Sequence, residues 1–584
     1  MTDLRTVESV PSPLVRLPPE LQLNVFENLS RHHLNRLSQT CKALHAAVLP
    51  RLYTRVIICV PQRWSRLESL ESLISSNGDG LKHTTELVIT VQQDPLRDSQ
   101  QGSEDNRTQA ELLEERNLQF GLPQNSASNA LNAFIRLLIV KLPRDKLDAF
   151  TWEHGCELDV STANLLFERQ KNSLVEFSCN RYCSSCDISG SVIHGLVDLS
   201  IESMNFDKCG SLWAARLLVE NAMTLDHLNL GYTTRIAYDY AHDRPSRHDK
   251  MSTLFATNVK KVLSDYSDSE PLLHLSLQSL YLSGLDLGSV IQGEMALDID
   301  FNKIVELRLE SCSGLNEALY LFTDKADSPK LALGALRDLY LRLDGPDADL
   351  INSLDCFLES VRGLTDLQVL IDKTSNVHMI ESILKIHGRT LTTLVWEERR
   401  GRRTQLDDCT SIFPGKLGNL SAISQHCPFL KVLGIPLDWE AISASDKYHE
   451  TVIGRYLRRM PNLEVLSIRN LPELKGGIST LLMDYFVQSV AAMFVNVVNK
   501  KRKSASFEFI ALGAPLHRDV NIGTHHVAHT PVSDLVRFRV YKVDYKHPSP
   551  SGLSIVLSEV VNGAALSAEE TFPHEHLLED YWLG

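Results

Sequence analysis

Three cysteines, Cys179, Cys183 and Cys186, stand in the C-x3-C-x2-C order that can hold an iron–sulfur cluster. With His154, Cys156 or His194 as a fourth ligand, the same thiols could hold zinc, which takes four nitrogen or sulfur ligands. The local pattern points elsewhere. In LVEFSC, Leu174, Phe177 and Cys179 occupy successive inward sites of a strand, so Cys179 is expected in a core, and no second C-x-x-C completes a usual zinc site. His525 and His529 in GTHHVAHT, with His526 between them, would stand one turn apart on a helix, but the flanking Gly523 and Pro531 favour a loop. Phosphate-cradling glycine loops, nucleophile elbows and paired acid–base motifs are all missing from the sequence. No catalytic residue, metal or cofactor is therefore expected.

Composition narrows the function classes. A net charge of -14 over 584 residues opposes binding to a polyphosphate backbone and favours basic partners. The opening MTDLRTVESV carries Asp3, Arg5 and Glu8 without an apolar run, which does not read as a secretory signal. Eleven cysteines without a disulfide-dense module fit a reducing compartment, cytoplasm or nucleus. Lys500, Lys501, Arg502 and Lys503, like Arg399, Arg400, Arg402 and Arg403, read either as a nuclear import signal or as a solvated edge. The most apolar stretch, Phe486 to Val498, is too short to cross a bilayer core of about 30 Å and is expected to be a buried helix.

What would position any binding residue is a repeat. The template L-x-x-L-x-L returns with leads at Leu147, Leu174, Leu196, Leu225, Leu277, Ile304, Leu336, Leu364, Leu391, Leu430 and Leu463, and a weaker copy starts at Thr84. This is the pattern of leucine-rich repeats, and it predicts an α/β repeat fold: a solenoid with a curved parallel sheet and outer helices over residues 84–510. The long gap between Leu225 and Leu277 hides either a degenerate repeat or an insertion around AHDRPSRHDK. A polar insert at about 94–129 is expected to be disordered, with AELLEERNLQF as a short helix. Residues 511–584 read as a cap strand in VRFRVYKVDY and an acidic tail.

Strand side chains alternate, so residues between the leucines should line the concave face. Glu176, Asp198, His227, Ser279, Glu306, Asp338 and Asp366 form one such row, with Arg308, Tyr340 and Gln368 two residues on. The acidic row predicts docking of a basic or Lys/Arg-flanked protein segment. Cys312, nine positions into its copy, is expected to be structural.

Residues 12–54 show a different period. Pro18 and Pro19 suit a first helical turn, Ser30 suits an N-cap before Leu34 and Leu37, and a third helix from Cys41 should stop before Pro50. Residues 55–83 read as a helical linker into the repeats. The run Leu17-Pro18, Glu20-Leu21, Val25-Phe26, Leu29, Leu34, Leu37 and Cys41-Lys42 resembles the F-box, a motif of about forty residues in three helices. One position departs, since Leu44 stands where the family often has Trp.

The resemblance implies binding of the SKP-type adaptor of cullin-RING ubiquitin ligases, with Leu17, Pro18, Leu21, Val25, Phe26, Leu29, Leu34 and Leu37 at the contact. It implies a non-catalytic receptor that brings a protein substrate to an SCF-type ligase. The alternative is a scaffolding repeat protein whose first helices only cap the array.

Overall fold

Parallel strands cannot be joined by a tight turn, because each crossover must carry the chain back to the same edge of the sheet, usually through a helix. That requirement sets the element order. The structure is a computed structural model that describes residues 13–61, 80–92, 124–153, 157–180, 193–201, 208–231, 244–265, 272–291, 297–323, 333–372, 381–398, 418–436, 454–469, 490–492 with 494, 509–512, 539–549 and 552–559.

Three helices come first: α1 (Pro19–Glu27), α2 (Arg31–Ser38) and α3 (Lys42–Tyr53). Strands follow as β1 (Arg55–Pro61), β2 (Glu86–Gln92), β3 (Ala149–Trp152), β4 (Glu176–Cys179), β5 (Asp198–Ile201), β6 (His227–Gly231), β7 (Leu273–Leu275), β8 (Ser279–Ser283) and β9 (Leu297–Ile299). The series continues with β10 (Glu306–Glu310), β11 (Asp338–Asp344), β12 (Asp366–Asp372), β13 (Thr393–Glu398), β14 (Val432–Ile435), β15 (Val465–Ile468), β16 (Phe509–Leu512), β17 (Arg539–Ser549) and β18 (Gly552–Glu559). Between them run α4 (Gln124–Lys141), α5 (Val160–Arg169), α6 (Lys208–Asn221), α7 (Arg244–Ser264), α8 (Leu287–Ile291), α9 (Leu315–Thr323), α10 (Ala348–Ser360), α11 (Glu381–His387), α12 (Gly418–His426) and α13 (Gly454–Leu457).

Among the described residues, all strands except β7 and β9 join one sheet in sequence order, parallel from β1 to β16 and antiparallel from β16 to β18. The result is an α/β repeat architecture. Leu307 and Leu309 of β10 show the rule for one strand: both are buried in the core that also holds Leu319 and Phe322 of α9. Aromatic rings tie three elements together, with Phe167 of α5, Phe177 of β4 and Trp213 of α6 at centroid distances of 5.3 and 5.6 Å.

Polar side chains stitch each repeat to the one before. Ser173, Thr224 and Thr390, each just ahead of a lead leucine, donate their hydroxyls to the carbonyls of Leu147, Leu196 and Leu364 at 2.8, 2.7 and 2.6 Å. Three residues earlier, Gln170 Oε1 accepts from the Leu147 amide and Asn221 Oδ1 from the Leu196 amide. His387 takes the same position and donates Nε2 to the Leu358 carbonyl at 2.8 Å. These bonds satisfy backbone groups in turns that would otherwise be buried without partners, each contributing about 1 kcal/mol net.

Several expectations need correction. Arg55–Pro61 is not a helical linker but the first strand, paired in parallel with Glu86–Gln92, because RVIICVP is rich in β-branched residues. The polar insert ends earlier than expected, since α4 begins at Gln124, and AELLEERNLQF lies outside the described residues. The long gap holds no extra strand of the main sheet among the described residues: β6 pairs directly with β8, and α7 occupies the insertion. Parallel pairing runs to Leu512, past the expected boundary at 510, and β17 forms a hairpin with β18 rather than a single cap strand. The third helix does not stop before Pro50 but continues to Tyr53, losing only the one amide bond that proline cannot donate. Val490, Ala491 and Phe494, from the apolar stretch, are helical and buried. No described helix is long and apolar enough to cross a membrane.

Burial depresses the pKa of His387, and nearby Arg362 adds to the effect, against the opposing bond to Leu358. The folded state therefore favours neutral imidazole, and its contribution to stability is present above the unfolded value of about 6.5 and is lost as pH falls below it. Replacing His387 with Gln keeps a donor and removes the titration. The expected outcome is a melting temperature that falls less between pH 7 and pH 5 than in the native chain; equal slopes would contradict it.

Candidate functional site

Two surfaces are candidates, one on the helical module and one on the sheet. In α1, Pro18 and Pro19 begin the helix where a proline loses no bond, and the Gln22 side chain donates to the Leu17 carbonyl at 2.9 Å, holding the entry. Pro18, Leu21 and Val25 fall on one side of α1 and are exposed, Leu21 by 48%. Leu17, Leu29 and Leu37 are half-buried. Ser30 caps α2 by accepting from the His33 amide, as its residue type requires.

Phe26 and Leu34 correct the sequence reading. They are 1% exposed and form the module's own core with Leu44 and Val48, so they do not lie on the surface of the chain. The side of an amphipathic helix that carries its largest ring turns inward because three short helices have little else to bury. Leu44, the departure from the family pattern, points into this core, where an aliphatic packs. Leu23 is 46% exposed, about 160° around the helix from Leu21, and was not singled out from sequence.

The module is joined to the sheet without a free linker. The Thr54 carbonyl accepts from the amides of Thr85 and Glu86 at 2.9 and 3.0 Å, which seats the end of α3 at the head of β2. Tyr53 packs against the main core, and a Cβ added at Gly80 would meet its ring at 2.6 Å, so a larger residue there would have to displace the ring.

On the sheet, register aligns the face away from the helices. Glu176 pairs with Asp198, Asp198 with His227, His227 with Ser279, Ser279 with Glu306, Glu306 with Asp338 and Asp338 with Asp366. Glu176 and Glu306 are exposed, and Asp198, Asp338 and Asp366 are half-buried. Burial raises the Asp198 pKa, and the charges of Glu176 and Glu306 raise it further against the pull of His227. Glu86, at the start of the same row, is raised by burial and by Glu176 although Arg55 pairs with it at 2.9 Å.

Arg308 lies one row in, held rigidly. Its guanidinium sits over the rings of Tyr281 and Tyr340 at 4.6 and 4.3 Å and bonds Glu310 through Nε and Nη2 at 3.2 and 3.0 Å. Tyr340 and Gln368, expected on the open face, are each only 8% exposed. They mark a change along the sheet. From β12 to β16 this face is buried, with Leu370, Val395, Val432, Val465 and Phe509 on it and an ion pair between Arg469 and Glu397 at 2.8 Å. The signal was in the sequence: TLVW, VLGI, VLSI and FIAL lack the polar alternation of a strand with one wet face.

Cys179 is buried in the core, while Cys183, Cys186, His525, His526 and His529 lie outside the described residues. Burial pushes the thiols of Cys312 and Cys427 up to about 12, which keeps them protonated and inert. Among the described residues, no group of three or more His, Cys, Asp or Glu is placed to hold a metal ion.

Comparison with known protein families matches residues 14–59 to the F-box-like family. A search of curated proteins finds no match. Residues 14–59 are thus an F-box-like domain, and its short helices fit that motif.

Removing the Phe26 ring should cost the module about 3–5 kcal/mol through the lost contacts and the cavity left behind. Phe26→Ala is expected to raise hydrogen exchange across residues 19–53 while β4 to β12 stay protected, and Leu21→Ala to leave both regions unchanged. Equal exchange in the two variants would contradict the division into core and surface.

Proposed function

We propose that this chain is the substrate-recognition subunit of an SCF-type cullin-RING ubiquitin ligase. The observation that carries the reading is the F-box-like match at residues 14–59 together with exposed Pro18, Leu21 and Val25 over a filled Phe26–Leu34–Leu44–Val48 core. An aliphatic ridge on a supported helix is the kind of surface a partner helix bundle buries. The partner in this reading is the SKP-type adaptor.

The remainder of the chain is read as a leucine-rich-repeat solenoid that holds a protein target. Its part is non-catalytic: it raises the effective concentration of the target beside the ubiquitin-charged enzyme. The joint at Tyr53, Thr54 and Gly80 supports this role, because a target held on the sheet then keeps a set distance from the adaptor.

The target surface is assigned to the open face from β4 to β10, where Glu176, Asp198 and Glu306 lie in register with His227 and Ser279. Like charges in one row repel each other and are relieved by a cation, so the expected ligand is a basic protein segment. Arg308 lies within this stretch and Asp338 and Asp366 border it, while Tyr340 and Gln368 are buried beside it.

Leu21→Asp with Val25→Asp should abolish capture of purified SKP-type adaptor, since a carboxylate buried without a partner carries a desolvation cost of several kcal/mol. The melting temperature should not change, because neither side chain is in the core. Retained capture at native affinity would remove the adaptor assignment. For the target face, Glu176→Lys with Glu306→Lys should reduce proximity labelling of proteins near the native chain while adaptor capture stays intact; an unchanged labelling profile would rule out the acidic row.

A further inference from the structure

β1 is the outermost strand at one end of the main sheet, and among the described residues only β2 pairs with it. The ladder tells which of its backbone groups are used. The Thr54 carbonyl accepts from the Glu86 amide at 3.0 Å, so the backbone of Thr54 faces β2, and by strand alternation that of Val56, Ile58 and Val60 does too. The N–H and C=O groups of Arg55, Ile57 and Cys59 therefore point away from β2, toward a side where no described strand takes them up. The same alternation sorts the side chains: Val56, Ile58 and Val60 are in the core, while Arg55 is exposed and Ile57 half-buried on the open face.

Proteins blunt such an edge with inward charges, proline, a bulge or a very short strand. At the other end of this sheet the pairing turns antiparallel at β17, and the register of β17 with β18 shifts between Lys546 and Ser549. β1 carries no such device before Pro61: its seven residues pair with Glu86–Gln92 without a shift, and its inward positions are all aliphatic. The unused groups say what fits them. Amides and carbonyls repeating at strand spacing are matched by an extended backbone, which presents donors and acceptors at the same repeat. A second copy of the chain is disfavoured there, since each would bring a net charge of -14 to the contact.

We propose that the free edge of β1 takes an extended segment of a partner protein as an added strand, bonded to the backbones of Arg55, Ile57 and Cys59. The segment carries aliphatic residues at alternate positions, on the side of Val56, Ile58 and Val60, and no proline where its amides must donate. Because α3 passes into β1 within one residue, a segment held there lies next to the end of the helical module. This docking is independent of the adaptor and target assignments.

The test uses the full chain and a labelled peptide of about nine residues that alternates Val and Thr between terminal lysines, beside a second peptide in which two of the valines are proline. Fluorescence anisotropy should show the alternating peptide binding about tenfold or more tighter than the proline peptide. Ile57→Pro removes an outward amide that β2 does not use, so it should weaken the alternating peptide about tenfold or more, while Ile57→Val, which keeps that amide, should not. Hydrogen exchange reads the same edge in the native chain: residues 55–60 should gain protection when the alternating peptide is added, and β18 and the acidic row should not. Equal binding of the two peptides, no binding of the alternating peptide, undiminished binding by Ile57→Pro, or protection centred away from β1 would overturn the proposal. So would sedimentation showing a native dimer that Ile57→Pro dissolves, which would make a second copy the occupant.

Discussion

Both faces of the sheet depend on the register of the leucine positions. A strand pair shifted by one residue turns each side chain to the opposite face, so a slip anywhere would bury the acidic row and expose the core. The register runs unbroken from Arg55↔Glu86 to Val465↔Phe509. Burial on one side enforces it, since the inward positions are filled by Leu, Phe, Ile, Val, Trp or Cys with almost no exposed surface. The hydroxyls of Ser173, Thr224 and Thr390 add a directional restraint, because each reaches the carbonyl of the preceding lead leucine only in the observed alignment. Glu176, Asp198 and Glu306 thus share one row as a consequence of packing on the other face.

The same stacking explains how the helical module is held. Three short helices with a four-residue core of Phe26, Leu34, Leu44 and Val48 bury too little to be sturdy alone. They gain support by ending in the first strand: α3 passes into β1 within one residue, and Tyr53 joins the large core. Stability then flows from the sheet to the module, and the direction of α1 is tied to that of the strands. An exposed ridge at Leu21 and Val25 is tolerable on such a module, where an isolated peptide would have collapsed around it.

Much of this was legible in the residues. The L-x-x-L-x-L leads located β3 to β6, β8 and β10 to β15, and Ser30 announced the cap of α2. Alternation put Glu176, Asp198 and Glu306 on one face, and the inward place of Cys179 followed from the same period. The misses have separate causes. Phe26 and Leu34 stand among the expected contact residues because a family motif records which positions recur, not which of them point inward. Tyr340 and Gln368 stand at positions that a strand considered alone leaves open, whereas the Arg308 guanidinium lies over the Tyr340 ring and Gln368 falls in the part of the sheet where both faces are covered. Arg55–Pro61 was missed as a strand because it lacks a leucine lead. The ladder of Gln170, Asn221 and His387 was visible as QKNSL, NAMTL and HGRTL, but only a structure tells what a polar residue four places before a leucine bonds to.

The central claim is that the ridge on α1 is an adaptor-binding surface and that the sheet is not. Hydrogen exchange of the full chain, alone and mixed with purified SKP-type adaptor, tests it directly. The account predicts a stoichiometric complex in which the added protection is concentrated in residues 17–53, with β4 to β12 unchanged. Failure to form a complex, or protection centred on the strands instead of α1, would contradict it.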